Sequence, residues 1–88
     1  MAWIDSDLIK FPIEVRTWKA GDKFQPLGMK GNKKISDFLT DLKIPLNEKD
    51  SVKLLISNGE IVWVVGLAVS ERYKITQNTK KVLKLETI

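Results

Sequence analysis

Residues 21–45 read GDKFQPLGMKGNKKISDFLTDLKIP, in which a basic loop with glycines leads into an amphipathic segment. From Lys19 to Lys34 the chain holds five lysines and one acid, so this stretch carries +4, the formal net charge of the whole protein. A basic loop before a helix N-terminus is suited to holding phosphate, because free N–H groups, the helix dipole and ammonium charges act together. The alternative interpretation is a solvated charged loop without a ligand.

The second half of this stretch predicts one main helix near residues 35–43 and a short helix near 45–50. Ser36 is expected to be the N-cap of the main helix. Pro45 prevents simple continuation and is itself suited to open the short helix. Apolar residues fall on one face of the main helix, at Ile35, Phe38, Leu39 and Leu42.

The rest of the chain is typical of antiparallel β-structure. Residues 19–33 are expected to form a long loop, and Ile13 and Val15 are expected to point into the core from a half-buried strand. Asn58-Gly59 between two apolar runs predicts a hairpin, and Gly66 a bulge or bend. Strands are predicted at 11–18, 52–56, 61–65, 69–76 and 82–88. The fold class is therefore α+β and mostly antiparallel β.

Length and composition limit the classes of function. Eighty-eight residues make a single domain, 1–88. Because the chain has no histidine and no cysteine, it lacks Ser-His and Cys-His nucleophile pairs and Cys/His zinc ligands. It also has no Walker loop, and no second partner converges on Asp22 and Asp37, so we expect no catalytic residue and no metal. The absence of a signal sequence and of a long apolar run predicts a cytoplasmic protein with no membrane contact.

Several motifs resemble those of one family, the C-terminal domain of bacterial tRNA(Ile)-lysidine synthetase. The similarity covers roughly residues 8–85, and the Lys-Lys-Ile-Ser-Asp-Phe-Leu block is its most specific part. The motifs are Val15-Arg16, Gly21-Asp22, Pro26-Leu27-Gly28, Gly31-x-Lys33-Lys34-Ile35-Ser36-Asp37-Phe38-Leu39, Lys43-Ile44-Pro45, residues 59–66 (GEIVWVVG) and residues 70–76 (SERYKIT).

The resemblance implies a function for the larger enzyme and a narrower one for this chain. The family enzyme is a ligase of tRNA modification that uses ATP to attach lysine to the wobble cytidine of tRNA(Ile), through an N-terminal PP-loop domain marked by Ser-Gly-Gly-x-Asp-Ser. That motif is absent here. The chain is thus expected to be a C-terminal domain separated from its enzyme, with no catalysis and no cofactor of its own, ATP belonging to the N-terminal domain.

The expected role of such a domain is to grip tRNA at the acceptor-stem end. The implied fold is a sandwich-like α+β domain, similar to one in the β subunit of phenylalanyl-tRNA synthetase. The expected partners are tRNA and the catalytic domain of the same enzyme. The alternative is a structural or protein-interaction domain that docks the catalytic domain and touches RNA little. Neither the oligomeric state nor the bases contacted follow from the sequence.

Basic residues are the candidates for RNA contact. Arg16 has a second interpretation, an ion pair with Asp22 or Asp37 that fixes the loop, and Arg72 and Lys74 are predicted to share one strand face. Lys19 and Lys23 are weaker candidates of the same type. The predicted RNA-binding residues are Lys30, Lys33, Lys34, Arg16, Arg72 and Lys74.

Aromatic residues and two departures from the family complete the expectations. Trp18 and Phe24 lie beside the basic loop, where core packing is favoured over stacking on an exposed base. Trp63, in a β-branched run, is expected in the core. Leu46 and Ala68 stand where relatives often carry arginine, so the RNA footprint is expected to be smaller or to use lysines instead.

Overall fold

Antiparallel strands dominate the structure, as the sequence predicts. A computed structural model describes residues 2–86. All strand pairs in this range are antiparallel, two helices lie between β4 and β5, and 3₁₀ turns occur at Ser6–Leu8 and Glu71–Tyr73. The elements are β1 (Ala2–Asp5), β2 (Ile13–Thr17), β3 (Lys23–Phe24), β4 (Lys33–Lys34), α1 (Ile35–Asp41), α2 (Leu46–Lys49), β5 (Lys53–Ser57), β6 (Glu60–Val64), β7 (Ala68–Val69) and β8 (Val82–Leu85).

A central sheet of order β2-β5-β6-β7 organises the domain, with two-stranded ladders β1-β8 and β3-β4 beside it. The predicted hairpin is confirmed as β5–β6. Its turn residues Asn58 and Gly59 have φ of 48° and 84°, the left-handed conformation that a two-residue turn of this type requires. Gly66, also at positive φ, lies in the turn between β6 and β7, which confirms the predicted bend.

Two core clusters lie on opposite faces of the central sheet. Leu54 and Ile56 of β5 belong to the first cluster, and Leu55 between them packs against the second, as strand alternation requires. The register shifts between Leu55 and Ile56, which leaves Val62 as an extra residue on β6. This bulge lets neighbouring β6 residues bury on both sides, so Val62 joins Trp63 in the second cluster.

Different elements cover the two faces. Phe24 of β3 and Ile35 and Leu39 of α1 pack on the first face, and Ile4 of β1 and Leu85 of β8 pack on the second. The result is the predicted sandwich-like arrangement, with Trp63 in the core as expected. Within residues 2–86 no helix is long or apolar enough to span a bilayer.

The helices are confirmed in place but not in their capping. α1 begins at Ile35 with Lys34 as its N-cap, so the prediction of Ser36 as N-cap is wrong. No side chain caps this end, because lysine has no acceptor atom to offer the helix N–H groups. The Ile35 N–H instead donates to the Asp22 carbonyl over 2.9 Å. At the other end Lys43 takes φ 58° and stops the helix. Pro45 is the N-cap of the second helix and not its first residue.

One strand prediction and one loop prediction need correction, and one strand was not predicted. Residues 69–76 do not form one strand, because β7 ends at Val69 and the Ser70 hydroxyl accepts from the Arg72 N–H to start a 3₁₀ turn. Residues 19–33 are not wholly loop, since β3 pairs with β4. Strand β1 was not predicted, because its four residues show no clear apolar alternation. Of the predicted strand 82–88, residues 87–88 lie outside the described residues.

The strand at residues 11–18 is confirmed as β2, but its predicted burial is wrong. Ile13 and Val15 are 42% and 60% exposed. β2 is the edge strand of the central sheet, and the residues of β1 and β8 in the second cluster pack against β6 and β7 residues instead. Within residues 2–86, the β2 end of that face is therefore uncovered.

Candidate nucleic-acid interface

The segment Lys23–Lys34, called here the basic hairpin, presents its lysines on two different faces. Lys23 pairs with Lys34, and Phe24 pairs with Lys33. Residues directly opposite each other in a ladder project from the same face. Phe24 is buried in the first core cluster, so Lys33 lies on the inward face while Lys23 and Lys34 share the outward one.

The lysines of the basic hairpin also differ in their partners. Lys33 forms an ion pair with Asp41 at the end of α1. Among residues 2–86, no carboxylate lies within ion-pair distance of Lys23, Lys30 or Lys34. These three are exposed, and their charges are available to an anionic ligand.

A polar groove of about 280 Å³ runs beside the outward face and is called the basic groove. It brings together Arg16 and Arg72, two of the predicted site residues, although they are far apart in the chain. Lys23, a weaker candidate in the sequence, also lines this groove. The sequence did not indicate its position, because the two-residue ladder of β3 and β4 is too short to predict. The charged side chains of the groove are Arg16, Asp22, Lys23, Glu60 and Arg72.

Arg16 is held in place by Asp22, which is one of its two predicted roles. Its guanidinium donates to both carboxylate oxygens, over 2.8 and 3.0 Å, and the Lys19 N–H donates to the same carboxylate over 2.8 Å. The hydrogen bond from Arg16 holds the pKa of Asp22 below its ordinary value of 3.8. This pair fixes the turn that leads into the basic hairpin. The carboxylate of Asp22 is thus committed to structure.

Arg72 has a weaker partner at the other side of the groove. It donates to Glu60 over 3.2 Å, and both side chains are about half exposed, so solvent screens the pair. Glu60 also accepts from the hydroxyl of Tyr73 over 3.3 Å, and burial raises the pKa of that hydroxyl. Because the pair is exposed, a phosphate can replace Glu60 as the partner of Arg72 at little cost.

The loop between β3 and β4 is fixed by hydrogen bonds to the last residue of β7 and to Glu71 just after it. The Leu27 N–H donates to the Val69 carbonyl over 3.1 Å, and the Glu71 N–H donates to the Gln25 carbonyl over 2.7 Å. The Gly28 N–H donates to the Glu71 carboxylate over 2.8 Å. Lys30 is exposed as expected, but the Gly28 backbone beside it already has a partner and is not free for a ligand.

Lys74 lies apart from the other candidates. It pairs with Glu71, whose pKa is lowered chiefly by this contact and then by the Gly28 N–H. Lys74 lines a separate, mostly apolar cavity of about 690 Å³. The prediction that Arg72 and Lys74 extend one basic surface from a common strand face is therefore wrong. Half-exposed apolar side chains also line this cavity: Trp3, Leu27, Met29, Leu67 and Ile75.

The aromatic residues beside the loop belong to the core, as favoured. Phe24 is 4% exposed and meets Phe38 edge-on, with ring centroids 5.1 Å apart. Trp18 packs against the first cluster, and its indole N–H donates to the Lys49 carbonyl over 2.7 Å. Neither ring is presented for stacking on a base.

Leu46 and Ala68, the two residues that depart from the family pattern, lie outside the basic groove. Leu46 begins α2 and is 81% exposed, whereas Ala68 of β7 is half-buried and lines the apolar cavity. Neither position adds charge to the basic groove.

Comparison with known proteins gives one family throughout. The family model described as "TilS substrate C-terminal domain" matches residues 13–86. A tRNA(Ile)-lysidine synthase from Parabacteroides distasonis is 48% identical over 83 residues, which are 94% of this chain and 19% of that protein. A tRNA(Ile)-lysidine synthase from Caldanaerobacter subterraneus subsp. tengcongensis is 48% identical over 84 residues, 96% of this chain and 18% of that protein. The chain thus spans about a fifth of the length of the curated relatives it matches.

Solved structures give the same result for the fold. The crystal structure of a TilS C-terminal domain superposes with a TM-score of 0.76 at 28% identity, covering 91% of this chain and 62% of the other. An N-terminal fragment of the phenylalanyl-tRNA synthetase β-subunit from Pyrococcus horikoshii also gives a TM-score of 0.76, at 27% identity, covering 92% of this chain and 26% of that fragment. The similarity to the synthetase subunit anticipated from the sequence is confirmed.

Proposed function

The chain belongs to the family of TilS substrate C-terminal domains, and on that premise we propose that it binds tRNA through the basic hairpin and the basic groove. The larger protein would be a tRNA(Ile)-lysidine synthase that joins lysine to a cytidine with ATP, and this domain would hold the tRNA by its acceptor-stem end. The domain itself would perform no catalysis and hold no cofactor, and it would act in the cytoplasm.

The observation that carries this proposal is a cluster of cations, three of which have no carboxylate partner within residues 2–86. Lys23 and Lys34 project together from the outward face of the basic hairpin, and Lys30 is exposed in its loop. Arg16 and Arg72 lie beside Lys23 in the basic groove. Such a surface suits a phosphate backbone, which accepts ammonium and guanidinium contacts without regard to sequence.

The loop that carries these charges is fixed by hydrogen bonds within the domain. Its backbone is bonded to Val69 and Glu71, and its entry is fixed by the Arg16–Asp22 pair. A preformed surface loses little conformational freedom on binding, which favours affinity. Lys33 and Lys74 were candidates too, but Lys33 lies on the inward face of the basic hairpin beside Asp41 and Lys74 lines the apolar cavity, so we assign them minor parts.

The proposal is tested by measuring tRNA affinity as a function of salt. If about three phosphates are neutralised, log K should fall against log salt with a slope of about −3. The Lys23→Ala/Lys34→Ala variant should bind more weakly and lower that slope by about 2. The matched control is Lys80→Ala/Lys81→Ala, which removes the same charge from exposed positions outside the groove. If both variants lose the same amount of tRNA affinity, the loss reflects the net charge of the domain and not the position of the lysines, which would contradict the proposal.

The apolar cavity favours a second function, docking against the rest of a larger protein. Contiguous exposed apolar surface commonly marks a protein interface. Trp3→Glu would then weaken association with the catalytic domain supplied as a separate chain, and leave tRNA affinity of the isolated domain unchanged. Loss of tRNA affinity in this variant, with the fold intact, would assign the cavity to the RNA site.

A further inference from the structure

The free edge of the central sheet presents a sequence that is complementary to itself. β2 reads Ile13-Glu14-Val15-Arg16-Thr17, with an acid and a base placed symmetrically about Val15. We propose that β2 is a homodimerisation strand, which pairs antiparallel with β2 of a second copy about a two-fold axis at Val15.

The first argument is the direction of the backbone groups. At one end the Pro12 carbonyl accepts from Asn58, and at the other the Trp18 N–H donates to Val52, so these two residues bond inward. Alternate residues of an antiparallel strand direct both backbone groups to the same neighbour. Glu14 and Arg16 therefore also face β5, and the residues between them face away from it.

The outward residues are Ile13, Val15 and Thr17, and among residues 2–86 no strand lies beyond them. The Thr17 carbonyl accepts one bond from the Arg16 guanidinium over 3.1 Å and keeps a second lone pair. An unpaired edge of this kind is a template for another strand. With the axis at Val15, the Val15 N–H of each copy donates to the Val15 carbonyl of the other. The N–H and C=O of Ile13 likewise exchange hydrogen bonds with the C=O and N–H of Thr17 in the second copy.

The second argument is charge. In this register Glu14 of each copy lies opposite Arg16 of the other, which gives two symmetric cross-strand ion pairs. The pKa of Arg16 is raised chiefly by its hydrogen bond to Asp22 and slightly by the nearby charge of the exposed Glu14. Arg16 donates from Nη1 and Nη2 to Asp22 and Thr17, and a guanidinium has five donors, so it retains capacity for a second carboxylate.

The third argument is the apolar face of the same strand. Ile13 and Val15 lie on the uncovered end of the sheet, 42% and 60% exposed. Pairing at the axis places the two Val15 side chains directly opposite each other, so each covers the other. Glu14 and Arg16 lie on the other face, which carries the basic groove, so the two grooves of a dimer would open on the same side of one continuous sheet.

Sedimentation velocity of the nuclease-treated domain over a concentration series tests this proposal. Because the edge is short, we expect a weak dimer with a dissociation constant on the order of 0.1–1 mM. Glu14→Lys opposes like charges in both symmetric pairs and should weaken dimerisation at least about tenfold. Glu48→Lys on exposed α2 changes the charge equally and should leave the dimer intact. Circular dichroism should confirm that both variants fold.

Amide hydrogen exchange gives the site-specific readout. The N–H groups of Ile13, Val15 and Thr17 should become protected as concentration rises, while those of Glu14 and Arg16 are protected throughout. A domain that stays monomeric at about 1 mM, or whose outward amides exchange freely at every concentration, would overturn the proposal. A dimer that Glu14→Lys leaves unchanged would also overturn it, since the contact would lie on another surface.

Discussion

The β5–β6 hairpin and the basic hairpin differ in what holds them in shape. β5–β6 has five-residue strands joined by the Asn58-Gly59 turn, and its side chains contribute to both core clusters. The basic hairpin has two-residue strands, and its loop is held by hydrogen bonds to Val69 and Glu71. The first is specified by its own residues, and the second depends on distant ones.

This difference separates stability from binding. The buried side chains of β5–β6 supply much of the core, so the lysines of the basic hairpin are not needed there. Lys23, Lys30 and Lys34 are exposed, and within residues 2–86 none of them has a carboxylate partner. The loop of this segment is held by hydrogen bonds, and Phe24 is its contact with the first cluster, so its lysines are not needed for packing. Mutations in the two hairpins should therefore have different consequences.

The largest expected effect lies in the core hairpin. Leu54 of β5 is fully buried, so Leu54→Ala should lower the free energy of unfolding by about 2–5 kcal/mol through lost burial and a residual cavity. Urea unfolding followed by tryptophan fluorescence measures it. A loss below about 1 kcal/mol would mean that the first cluster is not the main source of stability.

The same difference decides how much of the fold could be predicted from the sequence. β5–β6 and α1 were predictable because their signals are local: β-branched runs around Asn58-Gly59, and apolar residues at helical spacing from Ile35. The 3₁₀ turn at Glu71–Tyr73 was missed, because the Ser70 cap competes with strand pairing over only a few residues. The exposure of Val15 depends on where β1 and β8 pack, and this cannot be predicted from the residues around Val15.

The candidate site was predictable only in its composition. The sequence identified the lysine-rich stretch, but the sides taken by Lys33 and Lys34 follow from the pairing of β4 with β3. The partners Asp41 and Glu71 likewise became apparent only in three dimensions. Charge is thus readable from sequence, whereas its availability depends on tertiary contacts.

The next effect concerns the residue that anchors the basic hairpin. Asp22→Asn should destabilise the domain by about 1–2 kcal/mol at neutral pH, because hydrogen bonds from Arg16 to a carboxylate are stronger than to an amide. Since the pKa of Asp22 is lowered in the folded state, its contribution is present above the unfolded value of 3.8 and lost as pH falls through the folded value.

Denaturant unfolding at a series of pH values separates this contribution from others. The parent should lose stability as pH falls below about 4, and Asp22→Asn should lose less over the same range, so that the two curves converge in acid. Parallel curves would show that the ion pair with Arg16 does not anchor the segment. The pKa of Glu71 is also lowered in the folded state, so Glu71 too makes stability fall in acid. Because Glu71 is present in both proteins, the difference between the parent curve and the Asp22→Asn curve reports Asp22 alone.

A pair of glycine variants sharpens the comparison of the two turns. Gly59 and Gly28 have φ of 84° and 82°, and an added Cβ meets no atom within 4 Å at either position. Gly59→Ala and Gly28→Ala should therefore each cost about 1–2 kcal/mol, from backbone conformation alone. Gly59 lines the basic groove and Gly28 lies in the loop of the basic hairpin, so the two variants are compared by the free energy of unfolding and not by tRNA affinity. A loss below about 0.5 kcal/mol in either variant would mean that its turn does not depend on the left-handed conformation.

The smallest expected effect on stability comes from the neighbours Lys33 and Lys34, which point to opposite faces of β4. Each single change to alanine should alter the free energy of unfolding by no more than about 0.5 kcal/mol, because both positions are at the surface and the Lys33–Asp41 pair is solvent-exposed. Their effects on RNA should differ. Lys34→Ala should lower the salt slope of tRNA binding by about 1, and Lys33→Ala should leave it nearly unchanged, because Asp41 already neutralises that lysine.

Asp41→Ala is the matched test, since it frees Lys33 and should strengthen binding slightly. If Lys33→Ala reduces the slope as much as Lys34→Ala, the inward face of the hairpin also meets the RNA.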